Sequence, residues 1–174
     1  MKHVLVAVDL QNDFVDGALG TAEASAILDA ACARIRSQEG PILVTLDTHG
    51  EDYLSTREGR FLPVPHCVRG TDGWKLNGKV QKALAKKDVL YVEKPTFGSV
   101  DLPALVRVLT AGEPFDLTLI GLCTDICIVS NALLLKAAFP EADIFVDAAA
   151  CAGVTPQKHE AALETMRSCQ ITVL

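Results

Sequence analysis

Cys123 and Cys127 stand four residues apart in "GLCTDICIVSNALLLKAAFP", where an apolar run passes into residues with helical spacing. "FDLTLIG" reads as a buried strand, and "DICIVSNALLLKAAF" as a helix for which Thr124 or Asp125 is available as N-cap. That spacing puts Cys123 ahead of the helix and Cys127 in its first turn, where unpaired N–H groups and the helix dipole favour a thiolate. A thiol so placed can attack a carbonyl carbon, given a base for its proton and donors for the oxyanion. Three ionisable residues close strand-like runs elsewhere: Asp9 after "HVLVAV", Asp47 after "PILVTL" and Lys94 after "VLYVE".

A second set could hold a metal. The segment "LDTHGEDYLSTREGRFLPVPHCVRGTDGW" is long for a plain connection, and loops beyond roughly 12–15 residues in compact domains are usually functional or disordered. Asp47 and His49 point the same way if strand alternation continues through them, and His66 with Glu58 could reach back to complete an N/O set. Zinc, manganese and iron accept imidazole and carboxylate together. Spacing alone leaves a plainer reading open, in which Asp47 caps a turn and both histidines are solvated loop residues.

The elements that must position these groups alternate along the chain. "HVLVAVDL" is followed by a helix from about Ala22 to Ser37, whose Ile27, Leu28, Ala31 and Ile35 share a face. "PILVTLD" is a second strand, followed by an irregular stretch from His49 to Gly73. A helix over "GWKLNGKVQKALAK", the strand "VLYVEK" and a helix from about Leu102 to Thr110 come next. After the two-cysteine segment, "ADIFVDA", a helix over "TPQKHEAALETMRS" and a final "ITVL" close the pattern. Apolar strands separated by amphipathic helices predict a single α/β domain over 1–174. It has three layers, with a mostly parallel, roughly six-stranded sheet covered on both faces. In such sheets ligands bind beyond the carboxyl ends of the strands, where Asp9, Asp47, Lys94 and the two-cysteine turn fall.

Composition narrows the partners. With 174 residues, 49% of them hydrophobic, the chain fits one domain with a sizeable core. A net charge of -6 gives no basic footprint for nucleic acid or an anionic membrane, so a small-molecule substrate is expected. The apolar run at residues 3–10 is too short to span a bilayer and lacks a signal-peptide cleavage site. Six scattered cysteines need no disulfide framework, which fits a cytoplasmic protein; Cys32, Cys151 and Cys169 read as small buried residues and Cys67 as a neighbour of the long loop. His3 and His159 read as non-ligands, and Asn12 and Asp13 as turn residues that could support Asp9.

"AVDLQNDF", "DTH", "PHCVRGTDGW", "EKPTFGS" and "GLCTDIC" occur in this order along nearly the whole chain. In that order they resemble the isochorismatase-like cysteine hydrolases, and among these most closely the nicotinamidases. The resemblance implies a catalytic triad of Asp9, Lys94 and Cys127. It also implies an oxyanion hole from the backbone N–H groups of Cys123 and Cys127, and a cis peptide at Leu122–Cys123. One divalent ion is implied on Asp47, His49 and His66, zinc first and manganese or iron as alternatives. Nicotinamidases commonly carry another histidine five or six residues after the one matching His49; Leu54 and Ser55 stand there, and Glu58 is the nearest replacement. Phe14, Leu19 and Phe97 match pocket positions, and Trp74 lies beside the ligand loop.

The implied reaction converts nicotinamide to nicotinate and ammonia through a thioester, a step of NAD salvage, with the metal holding the pyridine nitrogen. Homo-oligomers are common in this family. Relatives acting on other amides, carbamoyl compounds or isochorismate share the triad and often lack the metal set. A non-enzymatic thiol-pair protein is a more distant alternative, since C-x-x-x-C does not match the C-x-x-C redox motif.

Overall fold

Six runs rich in Val, Ile and Leu become the strands of one sheet, and the computed structural model, which describes residues 1–174, pairs every neighbouring couple in parallel. In chain order the first half comprises β1 (Lys2–Val8), α1 (Asn12–Val15), α2 (Ala22–Ala26), α3 (Leu28–Ser37), β2 (Ile42–Asp47), α4 (Arg57–Phe61) and α5 (Gly78–Leu84). The second half comprises β3 (Val89–Lys94), α6 (Leu102–Thr110), β4 (Phe115–Leu122), α7 (Val129–Ala138), β5 (Asp143–Ala152), α8 (Pro156–Ser168) and β6 (Thr172–Val173). The sheet order is β3-β2-β1-β4-β5-β6, so the expected mostly parallel sheet is wholly parallel.

Both faces must be covered, because successive side chains of a strand point to opposite sides. Leu5 and Ala7 of β1 join Ile42, Val44 and Ile120 in a core with Ala31 and Ile35 of α3 and Val80 of α5. Val4, Val6 and Val8 of the same strand face the other way and pack with Val106 of α6, Ala132 and Leu135 of α7 and Met166 of α8. The chain changes direction across the sheet between β1 and β4, and that switch opens a crevice at their carboxyl ends. Gly121 is required there: its φ of 122° is left to glycine, and a Cβ would lie 2.0 Å from the Val8 carbonyl oxygen.

Several boundaries differ from the sequence reading, each through a local or long-range competitor. The helix expected over 22–37 is interrupted at Ile27 (φ −80°, ψ −11°), a break that lets Ala24, Ile27 and Leu28 all enter the same core. Residues 74–76 do not join the helix expected from Gly73. Leu76 instead bridges Gln11 in antiparallel fashion, and Asn77 caps α5 by accepting from the Lys79 N–H. The long loop is not irregular throughout: Tyr53–Ser55 makes a 3₁₀ turn, and Thr56 accepts from the Gly59 N–H to start α4. β5 continues to Ala152, pairing Gly121 with Cys151 beyond a register shift. No helix is long and apolar enough to cross a membrane.

Candidate active site

The strand ends converge as the alternation of element types predicts. Asp9 follows β1 in a left-handed conformation (φ 51°) that carries the chain off the sheet, while Asp47 and Lys94 are paired neighbours at the ends of β2 and β3. Asp9, Lys94 and Cys127 are all buried. Lys94 Nζ lies 2.6 Å from Asp9 Oδ2, 3.2 Å from Asp47 Oδ1 and 3.5 Å from Cys127 Sγ, and donates to the Thr96 carbonyl at 3.0 Å. Thr45 donates to Asp9 Oδ1 at 2.6 Å. Asp9 is thus held between the Lys94 ammonium at Oδ2 and the Thr45 hydroxyl at Oδ1, and a carboxylate so held keeps further lone pairs for an incoming proton.

Burial dominates the protonation of this cluster. It raises the Asp9 carboxyl, against the pull of Lys94. It also works against the charge of Lys94, yet Asp9, Cys127 and Asp47 together raise that ammonium above its ordinary value. The Cys127 thiol is pushed well up by burial and by the Asp9 charge, with Lys94 opposing. A cation and a helix terminus alone would lower it, but Lys94 is already shared between two carboxylates, so the resting group is a thiol. Transfer of its proton to Asp9 leaves the net charge of the buried cluster unchanged, and this is the acid–base step the arrangement permits.

The turn that carries Cys127 differs in detail from the expected first turn of an α-helix. Thr124–Ile128 forms a π turn that runs into α7, with Cys123 at the cap position and no side-chain cap. Thr124 and Asp125 are engaged elsewhere: Thr124 Oγ1 is 2.8 Å from His159 Nδ1, and Asp125 Oδ1 accepts from the Val154 N–H at 2.9 Å. His159, which reads as a surface residue of α8, thus braces the turn. Cys127 lies inside the turn, the Leu122–Cys123 peptide is cis, and the Cys123 thiol is pushed up to about 12 by burial and by Asp125.

Beside Lys94, the ligand-capable atoms of Asp47, His49 and His66 all lie within 4.8 Å of one another. His49 Nε2 is 2.9 Å and His66 Nε2 3.5 Å from Asp47 Oδ2, while Glu58 Oε1 faces both rings at 3.6 and 3.7 Å. His66 Nδ1 is 2.8 Å from the Val64 carbonyl, which holds a proton on that nitrogen and turns Nε2 to the cluster. Burial would raise the Asp47 carboxyl, but contacts from both histidines and Lys94 outweigh it and hold the group below the usual carboxylate range. Two imidazoles and one or two carboxylates suit a divalent cation, and these residues fit one.

A cleft of about 670 Å3 opens over this cluster, lined by His49, Glu58, Pro95, Thr96 and Phe97 on the inner side and by Arg57, Arg60 and Phe61 towards the rim. Of the expected pocket residues, Phe97 lines the cleft, whereas Phe14 does not and joins the core with its ring 5.5 Å from that of His66. Leu19 packs against the core. Trp74 lines a different groove, with Leu46, Leu84 and Tyr91 along the β3 edge, because its indole N–H is held by Thr48 Oγ1 at 2.9 Å. Asn12 and Asp13 do not reach Asp9: Asn12 donates to the Asp72 carbonyl, and Asp13 accepts from the N–H groups of Cys67 and Ala18. Cys169 is exposed rather than buried. The sequence reading missed Gln11, inside "DLQNDF". It is fully buried, donates to the Asp47 and Trp74 carbonyls and accepts from the Asp47 N–H, holding that carboxylate at the rim.

A parallel sheet gathers a buried Asp–Lys–Cys cluster at its switch point, beside an Asp–His–His group able to hold a divalent cation, in a single α/β domain. The Isochorismatase domain model matches residues 3–174, and the chain belongs to the isochorismatase family. It is 34% identical over 146 residues to an isochorismatase family protein PncA of Bacillus subtilis strain 168, covering 76% of this chain and 78% of that protein. A crystal structure of nicotinamidase/pyrazinamidase PncA from Bacillus subtilis superposes with a TM-score of 0.86 at 29% identity, over 99% of both chains. The pyrazinamidase of Pyrococcus horikoshii in complex with zinc superposes with a TM-score of 0.83 at 26% identity, over 100% of this chain and 99% of that one.

Proposed function

We propose that the chain is a metal-containing cysteine amidohydrolase that converts nicotinamide to nicotinate and ammonia. The observation that carries this reading is the junction of two buried groups at Asp47, whose Oδ1 meets Lys94 and whose Oδ2 meets His49. That junction supports a reading in which a reacting carbon over Cys127 has its ring nitrogen near the metal-binding group. The likeness to nicotinamidase and pyrazinamidase structures supports the substrate class, and the zinc complex of the Pyrococcus horikoshii pyrazinamidase supports zinc as the ion. All six cysteines are unpaired, which favours the reducing cytoplasm.

The Asp9 carboxylate takes the Cys127 proton, and the thiolate attacks the carboxamide carbon. Backbone N–H groups of Cys123 and Cys127 receive the oxyanion. Collapse breaks the C–N bond, the proton on Asp9 leaves with ammonia, and a thioester remains. Water, deprotonated by Asp9, attacks that thioester; the C–S bond breaks, nicotinate departs and the proton returns to sulfur. A divalent ion on Asp47, His49 and His66, with Glu58 as a fourth ligand, would supply a Lewis-acid contact for the pyridine nitrogen and so orient the amide.

The test is ammonia release from nicotinamide, benzamide and an aliphatic amide, alongside pyruvate release from isochorismate. Benzamide keeps the shape and lacks the ring nitrogen, so its kcat/KM is expected to fall about 100-fold. Equal turnover of the two would remove the metal-positioning role, and preference for isochorismate would remove the amidase reading. A companion measurement bears on the ligands. His49→Ala is expected to lose the metal by elemental analysis while keeping the circular dichroism of the fold. Glu58→Ala is expected to bind it about 10–100-fold more weakly, and unchanged affinity there would strike Glu58 from the set.

A further inference from the structure

Asn131 is fully buried on α7, one turn beyond Cys127, and its amide makes three hydrogen bonds. Nδ2 donates to the Cys127 carbonyl at 2.8 Å and to the Phe97 carbonyl at 3.2 Å, and Oδ1 accepts from the Ser99 N–H at 2.8 Å. Its partners are backbone groups of fixed polarity, so the amide orientation is unambiguous. One of them belongs to the nucleophile itself. The other two belong to the loop that leaves β3 directly after Lys94.

That loop carries one wall of the cleft through Pro95, Thr96 and Phe97. Its near end is held by Lys94, which donates to the Thr96 carbonyl at 3.0 Å. Its far end lies against α7, where a Cβ on Gly98 would come 2.6 Å from Leu134 Cδ1 and 3.4 Å from Ser130 Cβ. Asn131 therefore spans the gap between the backbone of the Cys127 turn and the Phe97 wall, beyond the point where Lys94 meets the Cys127 sulfur and the Thr96 carbonyl.

We propose that Asn131 is a positioning residue that fixes the spacing between Cys127 and the Phe97 wall, and thereby limits which ring substituents the cleft admits. The substrate part of this rests on the amidohydrolase reading; the spacing part does not. Asn131→Ser separates the two ends of the bridge. A helix serine can still donate to the carbonyl four residues earlier, here that of Cys127, but is too short for Phe97 and Ser99. Asn131→Asp keeps the acceptor for Ser99 and sets an oxygen against two carbonyl oxygens.

The experiment measures kcat/KM for nicotinamide and 5-methylnicotinamide, and the rate of Cys127 alkylation by iodoacetamide and by the bulkier N-phenyl iodoacetamide. In both variants the preference for nicotinamide over its methyl derivative is expected to fall about tenfold, the scale at which a hydrophobic pocket discriminates one carbon. N-phenyl iodoacetamide should gain on iodoacetamide by a similar factor. In Asn131→Ser the iodoacetamide rate itself should stay within about twofold of wild type, because Asp9 and Lys94 are untouched. Unchanged preferences in a folded Asn131→Ser would overturn the proposal, as would loss of iodoacetamide reactivity in that variant or failure of both variants to fold, each of which makes Asn131 a structural residue only. A wild-type protein inactive on nicotinamide whose variants still show the reagent shift would refute the substrate and leave the role of Asn131 standing.

Discussion

Cys127→Ala is expected to lose turnover by on the order of 10⁴-fold or more, the loss typical of a deleted nucleophile, while Cys123→Ala stays within about tenfold of wild type. The two thiols differ in surroundings rather than in intrinsic chemistry. Cys127 Sγ lies 3.5 Å from Lys94 Nζ, inside the buried cluster that contains Asp9. Cys123 is half-buried against the opposite core, its thiol is raised towards 12, and Asp125 adds to that rise. Its proposed contribution is a backbone N–H, which alanine also supplies. Cys127→Ser serves as a near-isosteric control and should lose turnover to a comparable degree, since a hydroxyl is a far weaker nucleophile at the same position. Mass spectrometry after trapping with an electrophilic nicotinamide analogue should place the adduct on Cys127. An active Cys127→Ala enzyme carrying the adduct on Cys123 would reverse the assignment.

The features legible in the sequence are those set by local pattern. Runs such as "ILVTLD" and "FDLTLIG" become buried parallel strands because nothing competes with their burial, and the α6 bounds expected at Leu102 and Thr110 match the structure. Asp9, Asp47 and Lys94 could be placed at one rim because parallel strands share a carboxyl end, whatever their order. Residues whose roles depend on distant partners were less visible. Gln11 looks like one more polar residue of a turn until Asp47 and Trp74 surround it, and Asn131 looks like a weak helix former until Phe97 and Ser99 arrive from another loop. The same limit explains Trp74: adjacency to the ligand loop is a one-dimensional fact, and the Thr48 hydroxyl turns the indole to the β3 edge. The direction of the Cys127 shift was equally hidden, since burial is a tertiary quantity and here exceeds the effect of Lys94.

Asp9→Asn is expected to lower kcat about 10²–10⁴-fold, the range spanned by removal of a general base. Within the cluster the acceptor open to the buried thiol is the Asp9 carboxylate, because Lys94 can only donate and Asp47 is held by His49 and Lys94. Asparagine preserves volume and can keep the Thr45 hydrogen bond, so the fold should survive while the proton acceptor is lost. The pH profile gives the sign. Burial raises the Asp9 carboxyl above its ordinary 3.8, so wild-type kcat/KM should fall on acidification through that elevated value, above the range of an exposed carboxylate, as the base becomes protonated. This acid limb should vanish in Asp9→Asn. Thiolate formation should move the other way: the Asp9 charge pushes the thiol up and Lys94 opposes it, so removing that charge should shift iodoacetamide alkylation of Cys127 to lower pH. Easier alkylation with collapsed turnover is the signature of a base that must return its proton to ammonia and activate water. Near-normal kcat in Asp9→Asn, or an acid limb that stays in place, would assign the proton transfer to another group.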